Sequence, residues 1–132
     1  MRLRGEVTKG LGIGRQFVGK HIYYIILTEI LGEEPYLGTL NVRVEVPVEE
    51  IERLCTPQHV KTVISNGNIL GGFRYWLGNV AKNDDIRADA LIIKPDLSKH
   101  GSNIIEIISS KYLREYLGLK DGDYIDIELR CL

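Results

Sequence analysis

The chain has 132 residues, 44% hydrophobic and 27% charged, which supports one well-buried core and is too short to expect two. With 17 Lys and Arg against 18 Asp and Glu the formal net charge is −1, and this argues against a protein whose main task is to wrap a nucleic-acid backbone, since that affinity comes from cations neutralising phosphates. Cys55 and Cys131 stand far apart and outside any C-x-x-C spacing, so the default expectation is two free thiols in a reducing compartment and no zinc site. No stretch has the apolar length of a signal peptide or a bilayer span, and a cytoplasmic protein without a membrane partner is expected.

In chain order, Leu3 to Thr8 reads as a short first strand running into Gly10-Leu11-Gly12-Ile13-Gly14-Arg15-Gln16-Phe17. Alternating glycines let backbone N–H groups approach an anion, and Arg15 adds a charged fork; a flexible hairpin is the plainer alternative. Lys20 to Leu31 fits a helix whose broad apolar side holds Ile22, Ile25, Ile26 and Ile30, with Leu27 and Leu31 one position round and Gly32 as the stop. Its β-branched content leaves a strand open for the first half. From Gly38 the pattern alternates cleanly, Leu40, Val42, Val44 and Val46 against Thr39, Asn41, Arg43 and Glu45, and ends at Pro47. The Thr39 hydroxyl and Asn41 amide oxygen share the side away from the valines and make a pair of hard oxygen donors suited to Mg²⁺, or else a solvated strand face.

Val48 to Leu54 forms a short predicted helix. Val60 to Ser65 and Ile69 to Trp76 read as strands around the hairpin signal Asn66-Gly67, and Asn83-Asp84-Asp85 as a turn. Arg87 to Lys94 is an apolar strand closed by Pro95, with the polar connection Ser98-Lys99-His100-Gly101-Ser102 leading into a strand from Asn103 to Ser109. There Glu106 shares a face with Ile104 and Ile108. Burial would raise its pKa toward the range of a general base; an edge-strand glutamate reaching water is the alternative. Ser110 to Leu117 reads as a helix with Ser109 or Ser110 as N-cap, whose start offers N–H groups to a phosphate. Arg114 would add a bidentate contact, or pair with Glu115 or Asp121. A last strand, Tyr124 to Arg130, follows the Asp121-Gly122 turn. Many short strands and few helices, without regular alternation of the two, predict a mainly β chain folded as a closed or nearly closed barrel.

Taken together and in order, the glycine-rich loop from Gly10 to Phe17, Pro35-Tyr36 with Gly38-Thr39-Leu40-Asn41, Ile104-Ile105-Glu106-Ile107-Ile108, Leu113-Arg114 and Leu119-Lys120-Asp121-Gly122-Asp123 resemble the archaeal CTP-dependent riboflavin kinases over nearly the whole chain. The resemblance implies a closed cradle-loop β-barrel of about six strands with a few short helices. It implies transfer of the γ-phosphate of CTP to the 5′-hydroxyl of riboflavin, giving FMN and CDP. Nucleotide contacts would fall to Gly10, Leu11, Gly12, Ile13, Gly14 and Arg15 and to Lys111, Tyr112, Leu113 and Arg114. Mg²⁺ would fall to Thr39 and Asn41, flavin contacts to Ser98 and Glu106, and the catalytic role to Glu106. Ile13 and Gln16 stand where the family pattern more often has an acidic and an aromatic or small residue, and Ser98 stands where threonine is common. The expected protein is a single domain over residues 1–132, a monomer without the amino-terminal winged helix of some relatives and without a nucleic-acid partner. The segment from Ser110 to Tyr124 also resembles the swapped-hairpin barrels of AbrB-type transcription factors, and the alternatives are such a DNA-binding module or a flavin-binding protein without kinase activity.

Overall fold

In a computed structural model, described for residues 1–10, 18, 20–83, 85–98 and 100–132, most of the alternating segments become strands of one wall. The strands are β1 (Arg2–Thr8), β2 (Leu40–Val44), β3 (Gln58–Val60), β4 (Val63–Ser65), β5 (Asn68–Leu70), β6 (Phe73–Ala81), β7 (Arg87–Pro95), β8 (Ile104–Ile108) and β9 (Tyr124–Leu129). Helices among the described residues are α1 (His21–Leu31), α2 (Val48–Leu54) and α3 (Leu113–Tyr116). The main sheet runs β3-β6-β7-β8-β2-β1-β9, and β9 pairs back to β6. That last pairing closes a six-stranded antiparallel barrel and removes its open edges. β3 occupies the part of the β6 edge that β9 leaves free, pairing Gln58 to Val60 with Tyr75 to Phe73.

Strand alternation sorts the apolar side chains into two cores. Val42, Val44, Trp76, Val80, Ile92, Ile105, Ile107, Ile125 and Ile127 fill the barrel, together with Val48, Ile51 and Cys55 from α2 and its end. Leu91, Ile93, Phe73, Tyr75 and Ile108 form a second cluster with Tyr23 and Leu27 of α1. The apolar side of α1 is therefore Tyr23, Ile26, Leu27, Ile30 and Leu31, the same i, i+3, i+4, i+7, i+8 spacing as expected but turned by about one residue. Ile22 and Ile25, expected in the core, are exposed. Tyr23 takes their place because its hydroxyl, donating to the Gly71 carbonyl at 2.6 Å, satisfies the one polar atom its ring carries inward. Gly32 ends α1 at φ 75°, and its N–H donates to the Thr28 carbonyl.

Two further expectations need correction. The long strands around Asn66-Gly67 are each broken, at 61–62 and 71–72, into barrel strands and a separate two-stranded ribbon, β4 with β5. The break is steric: a Cβ on Gly72 would lie 1.9 Å from the Val60 carbonyl oxygen, so the chain crosses itself where only glycine fits. The cysteines are not free thiols. Cys55 and Cys131 form a disulfide across 76 residues of sequence, and sequence spacing misses it because the barrel, rather than the local chain, brings the end of α2 to the residues after β9. Leu132 N–H adds a bond to the Thr56 carbonyl at 3.1 Å, and Trp76 Nε1 donates to the Cys55 carbonyl at 2.7 Å.

A crosslink over a loop of this length restricts the unfolded chain by about 4–5 kcal/mol in the chain-entropy model. Thermal unfolding with and without a thiol reductant tests this. Reduction, or the substitution Cys131→Ser, is expected to lower Tm by roughly 10–20 °C.

Candidate active site

The chemistry-bearing residues gather on the outside of the barrel wall. Asn41 of β2 pairs in register with Glu106 of β8, Glu106 with Ile93 of β7, and Asn41 with Thr8 of β1. These four therefore form one row across adjacent strands, on the face opposite to Val42, Ile105 and Ile107. Thr39, two residues before Asn41, joins the row by donating its hydroxyl to Glu106 Oε1 at 3.1 Å.

Burial decides between the readings left open for these residues. Glu106 is 6% exposed and Asn41 8%, so neither is a solvated strand residue. Removal from water pushes the Glu106 carboxyl above its ordinary range, opposed by the Thr39 hydroxyl, His100 and Lys94. Asn41 Oδ1 is buried without a hydrogen-bond partner among the described residues. An orphaned acceptor of this kind carries a desolvation cost unless a donor or cation arrives. Gly10 lies directly over the same amide, for a Cβ there would stand 2.1 Å from Asn41 Nδ2. The start of the glycine-rich loop is thus fitted to Asn41; Leu11, Gly12, Ile13, Gly14 and Arg15 lie outside the described residues. Three hard oxygens, from Thr39, Asn41 and Glu106, suit a small divalent cation that keeps several waters. Among the described residues no cluster of three His, Cys, Asp or Glu side chains competes for a metal.

Beside this row a cavity opens, lined by Tyr36, Thr39, Ile107, Lys111, Tyr112 and Arg114 among others. It brings an expected cation ligand, Thr39, together with the segment expected to meet the nucleotide. Tyr36 and Tyr112 stack with ring centroids 4.6 Å apart and planes 14° from parallel. The stack is held in place by Tyr36 N–H donating to the Ser109 carbonyl at 2.8 Å, while Ser109 Oγ donates to the Asp89 carbonyl and accepts from Lys111 N–H.

The helix expected from Ser110 to Leu117 shrinks to the four residues of α3, whose cap residue is Tyr112 and makes no side-chain cap bond. Ser109 is spent on β7 instead of capping, and so short a helix offers no dipole site. Lys111 and Arg114 supply the positive charge there. Arg114 is already engaged, donating to Asp121 Oδ1 at 2.7 Å and the Thr8 carbonyl at 3.3 Å. That leaves it fixed at the cavity wall.

Ser98 follows β7, and its Oγ accepts from His100 N–H at 3.2 Å. Among the described residues the structure gives it no bond to Glu106. Sequence reasoning missed Lys94, Tyr36 as a cavity wall, and His100. Lys94 is 6% exposed and donates to the Gly101 and Ile104 carbonyls at 2.7 and 2.9 Å, closing the connection before β8. A cation ending the apolar run Leu91-Ile92-Ile93 was the available signal.

The model of the family named CTP-dep_RFKase, described as domain of unknown function DUF120, matches residues 7–129. The riboflavin kinase of Sulfurisphaera tokodaii is 34% identical over 98% of this chain and 95% of its own length. That of Staphylothermus marinus is 31% identical over 96% of this chain and 90% of its own, and that of Pyrococcus abyssi 38% over 95% of this chain and 57% of its own. The barrel, its exterior row of oxygen donors and these matches place the chain in the CTP-dependent riboflavin kinase family. The fold expected from the resemblance, a closed barrel of six strands with short helices, is the fold observed.

Because the Glu106 carboxyl is raised, the folded protein binds its proton more tightly than the unfolded chain. Stability from this group is therefore present at acid pH and is lost as pH rises through the folded pKa. In metal-free buffer at neutral pH, Glu106→Gln is expected to raise Tm, with the advantage vanishing below the ordinary carboxylate range. Calorimetry across pH checks the sign.

Proposed function

We propose that this chain is a single-domain riboflavin kinase that transfers the γ-phosphate of CTP to the 5′-hydroxyl of riboflavin, releasing FMN and CDP. The observation that carries the reading is the buried row of Thr39, Asn41 and Glu106, whose Asn41 oxygen has no hydrogen-bond partner among the described residues and whose Thr39 lines the cavity walled by Lys111 to Arg114. The three curated relatives are riboflavin kinases, and the donor follows the family's name. The family match over residues 7–129 supports reading residues 1–132 as one domain. The chain is read as a monomer of the cytoplasm, and its net charge of −1 supports the reading that it has no nucleic-acid partner.

Phosphoryl transfer asks for positioning and charge neutralisation more than for covalent chemistry. Thr39 and Asn41 would hold Mg²⁺, which supplies charge neutralisation on the phosphate oxygens. Gly10 and the residues through Arg15, with Lys111, Tyr112, Leu113 and Arg114, would hold the nucleotide. Ser98 and Glu106 would hold the flavin's ribityl end. Glu106 accepts the proton of the 5′-hydroxyl as that oxygen bonds to the γ-phosphorus and the bond to the β-phosphate oxygen breaks, leaving CDP. The Thr39 hydroxyl, already bonded to Glu106, orients the carboxylate.

Chromatography of riboflavin incubated separately with CTP, UTP, GTP and ATP, with and without Mg²⁺, tests the reading. FMN is expected chiefly from CTP with Mg²⁺, and no FMN from any nucleotide would refute the kinase. Glu106→Gln is expected to lower kcat by about 10²–10⁴-fold; an unchanged kcat removes the base role. Asn41→Ala is expected to raise the Mg²⁺ concentration needed for half-maximal rate, and an unchanged requirement removes Asn41 from the cation site.

A further inference from the structure

Among the described residues the buried side chains that carry a charge are Glu106 and Lys94, and the mechanism above uses only the first. Lys94 ends the apolar run of β7. Ile92, two residues before it, faces the barrel core, so Lys94 rises on that same side at the mouth of the barrel, beside Arg74 of β6 in register. Removal from water lowers its pKa, with Glu106 and Glu49 opposing the shift and Arg74 adding to it. An ammonium in such a place is costly unless its donors are met.

The donors converge on one short piece of chain. Ile104 N–H donates to the Gly101 carbonyl at 3.2 Å and closes a tight turn that feeds the chain into β8. Lys94 Nζ donates to the carbonyls at both ends of that turn, Gly101 at 2.7 Å and Ile104 at 2.9 Å. The two middle carbonyls are held from other elements: Ser102 accepts from Val48 N–H of α2 and Asn103 from Val44 N–H of β2, each at 2.8 Å. The turn is thus gripped by backbone groups at its centre and by a cation at its ends. Bonds from an ionised donor are the stronger kind and fix geometry more tightly.

This turn stands between two residues of the proposed reaction. Glu106 lies two positions beyond it on β8, and Ser98, assigned above to the ribityl end of the flavin, lies three positions before it. The connection bearing Ser98 leaves β7 with Ser98 N–H donating to the Pro95 carbonyl at 3.1 Å, so Lys94 ties the end of the connection back to the strand from which it starts. Stability alone does not call for a lysine here. An apolar side chain of equal length avoids the cost of burying a charge. Gly101 is exposed and Ile104 half-buried, so water can serve their carbonyls in place of the ammonium.

We propose that Lys94 is a positioning residue of the phosphoryl transfer. Its ammonium fixes the turn from Gly101 to Ile104, and through that turn the placement of Ser98 relative to Glu106, so that the acceptor hydroxyl meets the carboxylate in the reactive alignment. This rests on the riboflavin kinase reading. Lys94→Met keeps the length of the side chain and removes its donors; Lys94→Gln keeps N–H donors without the charge. FMN formation is read by chromatography, CDP binding by calorimetry and Tm by thermal unfolding. Lys94→Met is expected to lower kcat by about 10-fold to 100-fold, with CDP affinity unchanged and Tm unchanged or raised. Lys94→Gln is expected to lie between it and the wild type, and carries the comparison should the methionine variant not fold. Because the effect passes through Ser98, it is expected to shrink to about threefold or less in a Ser98→Ala background, whereas a general loosening of the fold adds in full. An unchanged kcat in the folded variants, a fall in CDP affinity or Tm that accompanies the loss of rate, or full additivity with Ser98→Ala overturns the positioning role. Failure of the wild-type protein to form FMN instead removes the kinase reading and the inference with it.

Discussion

Everything in this molecule depends on the closing seam of the barrel, where β9 pairs with β1 along one side and with β6 along the other. The seam is tight: a Cβ on Gly78 would stand 1.9 Å from the Glu128 carbonyl oxygen, so the two backbones approach as closely as they do because that position has no side chain. Closure turns one sheet into a wall with a dry interior and an exterior. It also holds β1, β2 and β8 as consecutive neighbours, and only that order places Thr8, Asn41 and Glu106 in one row.

Energetics are divided along the same line. The interior holds aliphatic residues and Trp76, whose burial drives folding at roughly 25 cal/mol per Å² of apolar surface. The exterior row holds a carboxyl pushed up by burial and an amide oxygen with no partner among the described residues. Such groups cost stability while they stay buried without a partner. The Cys55–Cys131 crosslink works in the opposite direction, tying the end of α2 to the last residues of the chain.

Most of the wall was legible in the sequence because two-residue alternation and turn chemistry are local. β1, β2, β7, β8 and β9 lie where Leu3–Thr8, Gly38–Val46, Arg87–Lys94, Asn103–Ser109 and Tyr124–Arg130 place them, within a residue or two at each end. What was not legible depends on contacts between distant segments. The disulfide needs the closed barrel to be seen. The break of β3 and β4 needs the crossing at Gly72, and the truncation of α3 follows from Ser109 bonding to β7 rather than to the helix. At the site, the pairing of Thr39 and Asn41 on one face was readable from spacing, whereas the burial of Glu106 and the contact of Gly10 with Asn41 were not. Lys94 was visible as a charge ending an apolar run, yet only its two carbonyl partners show what it does.

Along β8 the residues alternate between the two sides of the wall: Ile105 and Ile107 point to the barrel core, Glu106 to the site. The same short segment therefore carries both the packing and the chemistry, offset by a single position. A frame error of one residue in this strand would bury the carboxylate among aliphatic side chains and leave two isoleucines facing the substrate. Misfolding and loss of function are then a single event here, and a chain that reaches the native barrel has, by the same registration, already assembled its row of oxygen donors.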